Sequence, residues 1–297
     1  MEPALAPRDA PHARPRLGHL LRRAAMASTD RRRVLRWRDG VVDAGPDSLA
    51  IEEPLEIEVD GVSVSTTMRT PGHDIELALG WLVAEGALTS IEEVSEAKEC
   101  FEHDEDDPEQ VRRIVQVTTR GRVPVEPRLH ATSSACGVCG ADLIAMTQRT
   151  RHWPLGEDTT AFSVEAVLRQ PEALLAAQRG FAASGGLHAA GLFTPEGDLI
   201  CLREDVGRHN AVDKVIGWAL QEGRLPLRGH ALQVSGRASA ELVHKAVMAG
   251  VPLLAAVSAP STLAVDLARE SGLTLAGFVR DGSLNVYAGA QRLGLSD

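Results

Sequence analysis

The chain has few aromatic residues, few cysteines and no long hydrophobic run. Phe, Trp and Tyr make up 3% of its 297 residues, too few for the stacking platform that single-stranded nucleic-acid binders use. Four cysteines do not build a disulfide scaffold, so a reducing, cytoplasmic setting fits best. The longest apolar stretch, residues 249–260, is too short for a membrane span and contains prolines. We therefore expect a cytoplasmic protein that binds neither nucleic acid nor a membrane.

The charge of the chain is unevenly placed. Its net charge is -10, yet residues 1–38 carry ten arginines and three acids, a net charge of +7. Proline recurs at the start of this segment and would break a helix there. The sequence predicts a basic disordered tail over residues 1–38, disordered up to about residue 30, with Met26 as an alternative start. The acidic remainder argues against a surface that follows phosphates, and the 44% of hydrophobic residues suffices for a sizeable core.

Hydrophobic alternation predicts a small N-terminal α+β domain over residues 39–155, which ends in a loop with two cysteines. Leu55–Val64 alternates apolar and polar residues around Asp60-Gly61, a signature of a β-hairpin. Asp74–Gly86 has the apolar spacing of a helix. Further predicted elements are a strand at Val111–Thr118 and a helix at Gly140–Thr150.

The second half, residues 156–297, alternates strands and helices. Its strands are nearly continuous in apolar residues, which favours an α/β domain with a sheet buried on both faces. Such a sheet binds ligands at the carboxyl ends of its strands, where residues 235–239, 258–261 and 280–283 would lie. The predicted strands are Leu187–Phe193, Leu199–Arg203, Ala231–Ser235, Pro252–Ser258, Thr274–Val279 and Asn285–Ala288. The predicted helices are Ser163–Gln178, His209–Leu220, Ser239–Ala249 and Thr262–Ser271.

Residues 133–140, SSACGVCG, form the sharpest motif. Cys136 and Cys139 precede a predicted helix, whose N-terminal amides stabilise a thiolate. A thiolate attacks a disulfide, or accepts a sulfur atom to become a persulfide. A thioredoxin-like redox site is one alternative. A structural zinc site is another, although it needs four ligands, and Cys100 and Cys201 stand alone. The pattern favours a nucleophilic or sulfur-carrying thiol.

A zinc deaminase is a further alternative, because its signature is H-x-E followed by P-C-x-x-C. His103-Asp104-Glu105 and the two cysteines fit this outline. The detail does not fit, since Ala135 replaces the proline and His103 lies in a strongly acidic segment. We therefore expect no permanently bound metal.

Two polar segments of the second half suit a bound ligand. Residues 204–210, EDVGRHN, lie between a predicted strand and a helix, a loop suited to orienting a polar ligand or transferring a proton; a solvated loop with a helix cap is the alternative. Residues 235–239, SGRAS, resemble an anion cradle, with glycine for close approach, Arg237 as a fork and helix amides behind it. The segment lacks both the P-loop ending and the dinucleotide glycine pattern.

Taken together, these segments resemble the FdhD/NarQ family, the formate dehydrogenase accessory sulfurtransferases. The resemblance runs from about residue 51 to 290, and the joint order of its motifs is highly specific. It implies that the protein passes persulfide sulfur from a cysteine desulfurase to the molybdenum bis(molybdopterin guanine dinucleotide) cofactor, which is bound as a substrate, for the formate dehydrogenase catalytic subunit. The matching stretches are EEPLEIEVDG, TPGHDIELALGWLVAEG, SSACGVCG, SGGLHAAGLF, EDVGRHNAVDKVIG and SGRASAELVHKAVMAGVPLLAAVSAPSTLAVDLA.

The resemblance also assigns residues. It places the persulfide on Cys136, with Cys139 as its companion. We add Arg237 as a positive site, and Asp205 as a carboxylate that would pair with guanine N–H groups, as Asp281 also would. The cofactor-binding segment that the resemblance implies is Phe278, Val279, Arg280, Asp281, Gly282 and Ser283.

The implied fold is a cytidine-deaminase-like three-layer α/β/α domain plus the smaller N-terminal α+β domain, in a homodimer. Two departures from the family's usual motifs are small: Ala135 stands beside the first thiol, and Ser184 stands where threonine is common. The alternative function is a non-catalytic chaperone that binds the molybdenum cofactor, with the cysteines closing a lid. A dithiol oxidoreductase comes third.

Overall fold

The computed structural model of the chain describes residues 28–103, 111–121 and 140–295. Within these ranges the chain forms a two-stranded ribbon, a four-stranded sheet and a six-stranded sheet, with helices between and around them. The strands are β1 (Thr29–Arg38), β2 (Val41–Ala50), β3 (Glu53–Val59), β4 (Val62–Arg69), β5 (Val94–His103), β6 (Val111–Thr119), β7 (His188–Phe193), β8 (Leu199–Asp205), β9 (Ala231–Val234), β10 (Leu253–Ala256), β11 (Thr274–Arg280) and β12 (Ser283–Ala288). The helices are α1 (Asp74–Ala84), α2 (Gly140–Thr150), α3 (Val164–Ala177), α4 (Arg179–Ser184), α5 (Arg208–Gln221), α6 (Ala240–Met248) and α7 (Thr262–Ser271).

The ribbon corrects the prediction of a disordered tail over residues 1–38. That prediction is wrong for Thr29–Arg38, because β1 pairs with β2 in antiparallel register along its whole length. Asp39 and Gly40, both at positive φ, form the tight turn between the two strands. The strand also contains the strand-forming residues Val34, Leu35 and Trp37, so the segment pairs in spite of its charge.

The four-stranded sheet has the order β4-β3-β6-β5. It confirms the predicted hairpin, with Asp60 and Gly61 at φ 49° and 81° in its turn. It also confirms the predicted strand at Val111–Thr118. Strand β5 was not predicted, because its sequence VSEAKECFEH is largely polar and its residues are mostly exposed. Its pairing with β6 holds it in the sheet.

The six-stranded sheet has the order β12-β11-β10-β9-β7-β8. Strands β9, β10 and β11 run parallel, while β7, β8 and β12 pair antiparallel to their neighbours. The residues of β9 and β10 are buried. Side chains of α5, α6 and α7 pack in one core cluster, and α3 packs in a second cluster with the other side chains of the sheet. The predicted α/β fold, with a central sheet covered on both faces, is confirmed.

The two halves of the chain share one hydrophobic core. Side chains of α1 and of the four-stranded sheet lie in the same cluster as those of α5 and α6. Helix α1 crosses α5 at Gly80, where an added Cβ would lie 1.8 Å from the carbonyl oxygen of Asp213. The helices can approach this closely because Gly80 has no side chain. The boundary predicted at residue 155 therefore crosses a continuous core, and the two-domain division stays a prediction.

Candidate functional site

A cavity of about 730 Å³ lies at the carboxyl ends of the parallel strands. Ser235 follows β9, Val257 follows β10, and Arg280 ends β11, and all three line it. The opposite wall is apolar and comes mainly from α3, including Leu168 and Leu175. We call this space the larger cavity. It lies where the alternation of strands and helices predicts a ligand.

The turn between β11 and β12 forms one rim of the larger cavity. Asp281 and Gly282 adopt φ of 52° and 71°, and both line the cavity beside Arg280. The guanidinium of Arg280 lies 5.5 Å from the centre of the Phe278 ring, and Ser283 Oγ donates to the Arg280 carbonyl oxygen at 3.0 Å. The turn thus presents a cation, a carboxylate and a glycine backbone to one space.

The remaining predicted cofactor-binding residues are placed differently. The Val279 side chain is fully buried in the core cluster under α3, so its predicted contact with a ligand is wrong for the side chain. Phe278 and Ser283 do not line the larger cavity and support the turn instead. Arg237 is exposed and lines neither this cavity nor the smaller one described next. In the loop that holds Arg237, Ser239 caps α6 by accepting from the Leu242 amide.

A second cavity of about 380 Å³ lies between the two sheets. The EDVGRHN segment lines it through Val206–Asn210, together with α1 at Trp81 and α6 at Glu241 and Lys245. We call this space the smaller cavity. His188, at the start of β7, lines both cavities, so the two spaces lie on either side of this residue.

Asp205 does not reach either cavity. Its carboxylate is fully buried and lies 2.7 Å from Lys214 Nζ. It also accepts from the amides of Thr70 (3.1 Å) and Gly207 (2.8 Å) and from the Asn210 side chain (3.0 Å). The prediction that Asp205 pairs with a guanine base is therefore wrong, because its oxygens are already bound within the protein. Asp205 positions the EDVGRHN segment.

The two histidines of the smaller cavity are neutral at pH 7. Burial lowers the pKa of His209 to about 4, against the opposing charge of Glu241. His209 Nε2 lies 3.1 Å from Ser239 Oγ and 3.4 Å from a Glu241 oxygen. Burial, and next the charge of Arg208, also lowers the pKa of His188. Neither ring carries a charge that would attract an anion, and both can accept a proton.

A buried ion pair forms the floor of the smaller cavity. Lys245 Nζ donates to both carboxylate oxygens of Asp213, at 2.7 and 2.9 Å, and both residues are buried. Burial raises the pKa of Asp213 to about 7. Burial opposes the charge of Lys245, but the nearby carboxylates outweigh it and raise the pKa of that ammonium. Sequence analysis missed this pair. The available signal was a charged residue within each apolar helix face, in AVDKVIG and ELVHKAVM.

The predicted catalytic pair, Cys136 and Cys139, lies outside the described residues. Helix α2 begins at Gly140, the last residue of the motif, as predicted. Burial raises the pKa of Cys201 to about 11, which makes that thiol unreactive at neutral pH. Cys100 Sγ lies 3.2 Å from Gln116 Oε1. Across the described ranges, no group of three or more His, Cys, Asp and Glu side chains is placed to hold a metal ion, and no helix is long and apolar enough to cross a membrane.

The chain is an α/β protein with two neighbouring cavities, which share His188 as a lining residue. Comparison with known proteins adds its family. The sequence model of the FdhD/NarQ family matches residues 50–294, and the chain belongs to this family. The resemblance found in the sequence motifs is thereby confirmed.

Relatives match the chain over most of its length. It is 51% identical over 272 residues to the sulfur carrier protein FdhD of Streptomyces avermitilis, which covers 90% of this chain and 96% of the relative. It is 45% identical over 291 residues to the sulfur carrier protein FdhD of Anaeromyxobacter dehalogenans, covering 93% and 98%. A solved structure described as a formate dehydrogenase accessory protein, from Desulfotalea psychrophila, is similar with a TM-score of 0.70 and 22% identity, covering 90% of this chain and all of that chain. This likeness supports the fold.

Proposed function

We propose that the protein is a cytoplasmic sulfurtransferase that carries persulfide sulfur on Cys136 from a cysteine desulfurase to the molybdenum bis(molybdopterin guanine dinucleotide) cofactor. The cofactor that receives the sulfur serves the formate dehydrogenase catalytic subunit. The carrier acts as a homodimer. The observation that carries the proposal is the match of nearly the whole chain to relatives named sulfur carrier protein, at 51% identity.

The larger cavity suits a guanine nucleotide. A guanine edge carries two adjacent N–H donors, which a carboxylate such as that of Asp281 can accept side by side. The apolar wall from α3, with Leu168 and Leu175, suits the faces of a planar base. Arg280 supplies a positive charge on the same rim. In a chain with a net charge of -10, an anionic cofactor depends on such local cations.

The two cysteines supply all the electrons for the sulfur transfer, and an external reductant is needed only to reduce the disulfide that forms at the end. The Cys136 thiolate attacks the outer sulfur of the donor's persulfide, and the donor thiolate leaves as the new S–S bond forms. The Cys139 thiolate then attacks Cys136 Sγ, so that a Cys136–Cys139 disulfide forms and the outer sulfur departs as sulfide. Cys139 supplies the two electrons that convert the carried sulfur into sulfide. A cellular dithiol then reduces the disulfide.

Intact mass spectrometry tests the carrier role. The purified protein is mixed with a cysteine desulfurase, pyridoxal phosphate and cysteine. We expect a reducible gain of one sulfur atom, mapped to the peptide that holds Cys136 and Cys139. Cys136→Ala should lose the gain, and Cys100→Ala is the matched control that should keep it. If no sulfur adds while guanine nucleotides still bind, the protein is a cofactor chaperone instead.

A further inference from the structure

Arg208, the first residue of α5, lines the smaller cavity and has no hydrogen-bond or ion-pair partner among the described residues. Its Nε atom is shielded from solvent without a hydrogen bond, and the described part of the chain offers the guanidinium no ion pair. The two acids that precede it are bound elsewhere. Glu204 accepts from the amides of Gly180 (2.8 Å) and Phe181 (2.7 Å), and Asp205 is held by Lys214.

An unpaired, half-buried guanidinium points to an anionic ligand. Arginine stays charged at any physiological pH and cannot avoid the cost of burial by losing its proton. Its donors form a fork that matches phosphate oxygens. The residue before it, Gly207, gives α5 no side-chain cap, so the positive end of a 14-residue helix faces the same space.

The other charges around the smaller cavity limit where an anion can sit. Lys245 is neutralised by Asp213, and His209 is neutral at pH 7. The carboxylates of Glu52 and Glu241 also line the cavity and would repel an anion. Glu241 lies beside His209 at 3.4 Å, and the fixed cation of the cavity wall is Arg208. An anion is therefore favoured at Arg208.

His188 connects this position to the larger cavity. His188 lines both spaces, and its imidazole packs on Gly236, where an added Cβ would be 3.4 Å from His188 Nδ1. A ligand that extends past His188 from the larger cavity would have Arg208 before it in the smaller cavity. Resting on the nucleotide site proposed above, we propose that Arg208 binds the diphosphate of the guanine nucleotide whose base lies in the larger cavity.

Calorimetric titration with guanosine, guanosine diphosphate and inorganic diphosphate tests this role. Arg208→Gln should weaken the binding of guanosine diphosphate at least about tenfold, the effect of losing charge-assisted hydrogen bonds. The affinity for guanosine should stay within twofold of the wild-type value. Arg208→Lys, which keeps the charge but loses the fork, should fall between. Arg38→Gln is the matched control, since it removes an exposed arginine of β1 that lines neither cavity.

Three outcomes would overturn the inference: an equal loss of affinity for guanosine and its diphosphate, no loss in Arg208→Gln, or a loss in Arg38→Gln instead. Thermal unfolding curves check that each variant is folded. Inorganic diphosphate separates this inference from the guanine site. If diphosphate binds the wild type and not Arg208→Gln while guanosine fails to bind, the anion site stands and the guanine site falls.

Discussion

Gly217 in α5 lies against the backbone of Glu76 in α1, so closely that an added Cβ would be 1.7 Å from the Glu76 carbonyl oxygen. The Glu76 carboxylate in turn binds Arg203 of β8, at 2.5 and 2.7 Å. Helix α1 is thus fixed to the second half of the chain through both its backbone and its side chains. Both helices also line the smaller cavity, through Leu77 and Trp81 of α1 and Asn210 and Asp213 of α5.

We expect Gly217→Ala to destabilise the protein by about 3 kcal/mol, at the upper end of the usual cost of overpacking, because two helix backbones would have to separate. Urea unfolding measures the change. Gly156→Ala is the matched control, because an added Cβ there meets no atom within 4 Å. Equal stability of the two variants would contradict the close approach of α1 and α5.

Removal of one member of the buried ion pair should cost more than removal of both charges. Lys245→Met leaves the Asp213 carboxylate buried without its partner, and we expect a loss of about 3 to 5 kcal/mol in the free energy of unfolding. The double variant Asp213→Asn, Lys245→Met should recover most of that loss. Chemical denaturation of the four proteins in this cycle gives the coupling. Additive effects would show that the pair is not coupled.

The neutral state of His209 predicts a loss of stability in acid. The folded protein holds its pKa at about 4, below the ordinary value of 6.5. The stabilisation that comes from the neutral imidazole is therefore complete above pH 6.5 and is lost as the pH falls. At pH 4 the loss in the free energy of unfolding is about 3 kcal/mol. His209→Gln should show a correspondingly smaller decline between pH 7 and 4 in urea unfolding. The exposed His152→Gln is the histidine control, and parallel profiles for His209→Gln and wild type would refute the prediction.

Asp281 should select guanine by its exocyclic amine. Asp281→Asn removes a carboxylate that accepts two donors, so we expect guanosine diphosphate to weaken about tenfold. Inosine diphosphate lacks the amine, so its binding should weaken less in this variant. The preference for guanosine diphosphate over inosine diphosphate should therefore become smaller. Competition titrations give both affinities.

Arg280→Ala should weaken the binding of both nucleotides alike, because it removes a positive charge and no contact to the base. An unchanged affinity in that variant would remove Arg280 from the site.

The order of elements in the second half could be predicted from the sequence because its strands are short, apolar and separated by helices with clear spacing. The predicted helix Thr262–Ser271 has the observed ends, where Ser261 caps it and Gly272 closes it at positive φ. Strand β1 was not predicted, because its arginine-rich composition is typical of a disordered tail, although Asp39-Gly40 is a turn signal. That signal is of the same kind as the one that located the β3–β4 hairpin.

The candidate site could be predicted only in part. The turn at Arg280–Gly282 was located by family resemblance, and it does line a cavity. Asp205 was misassigned because a sequence does not show whether a carboxylate faces outward or is held by Lys214. That His188 lines both cavities, and shares the smaller one with Arg208, depends on the packing of β7 against α5, which no local pattern encodes. The roles of Cys136 and Cys139 stay predictions.

The burial of Asp205 has a consequence for ligand binding. One carboxylate ties the chain at Thr70, Gly207 and Lys214, so the wall that carries Arg208 is preorganised before any ligand arrives. Little conformational entropy is then lost there on binding. The opposite rim, the turn at Asp281 and Gly282, is exposed and has no such anchor among the described residues. We therefore expect the adjustment that a large ligand requires to fall on that turn, while the wall around Arg208 stays fixed.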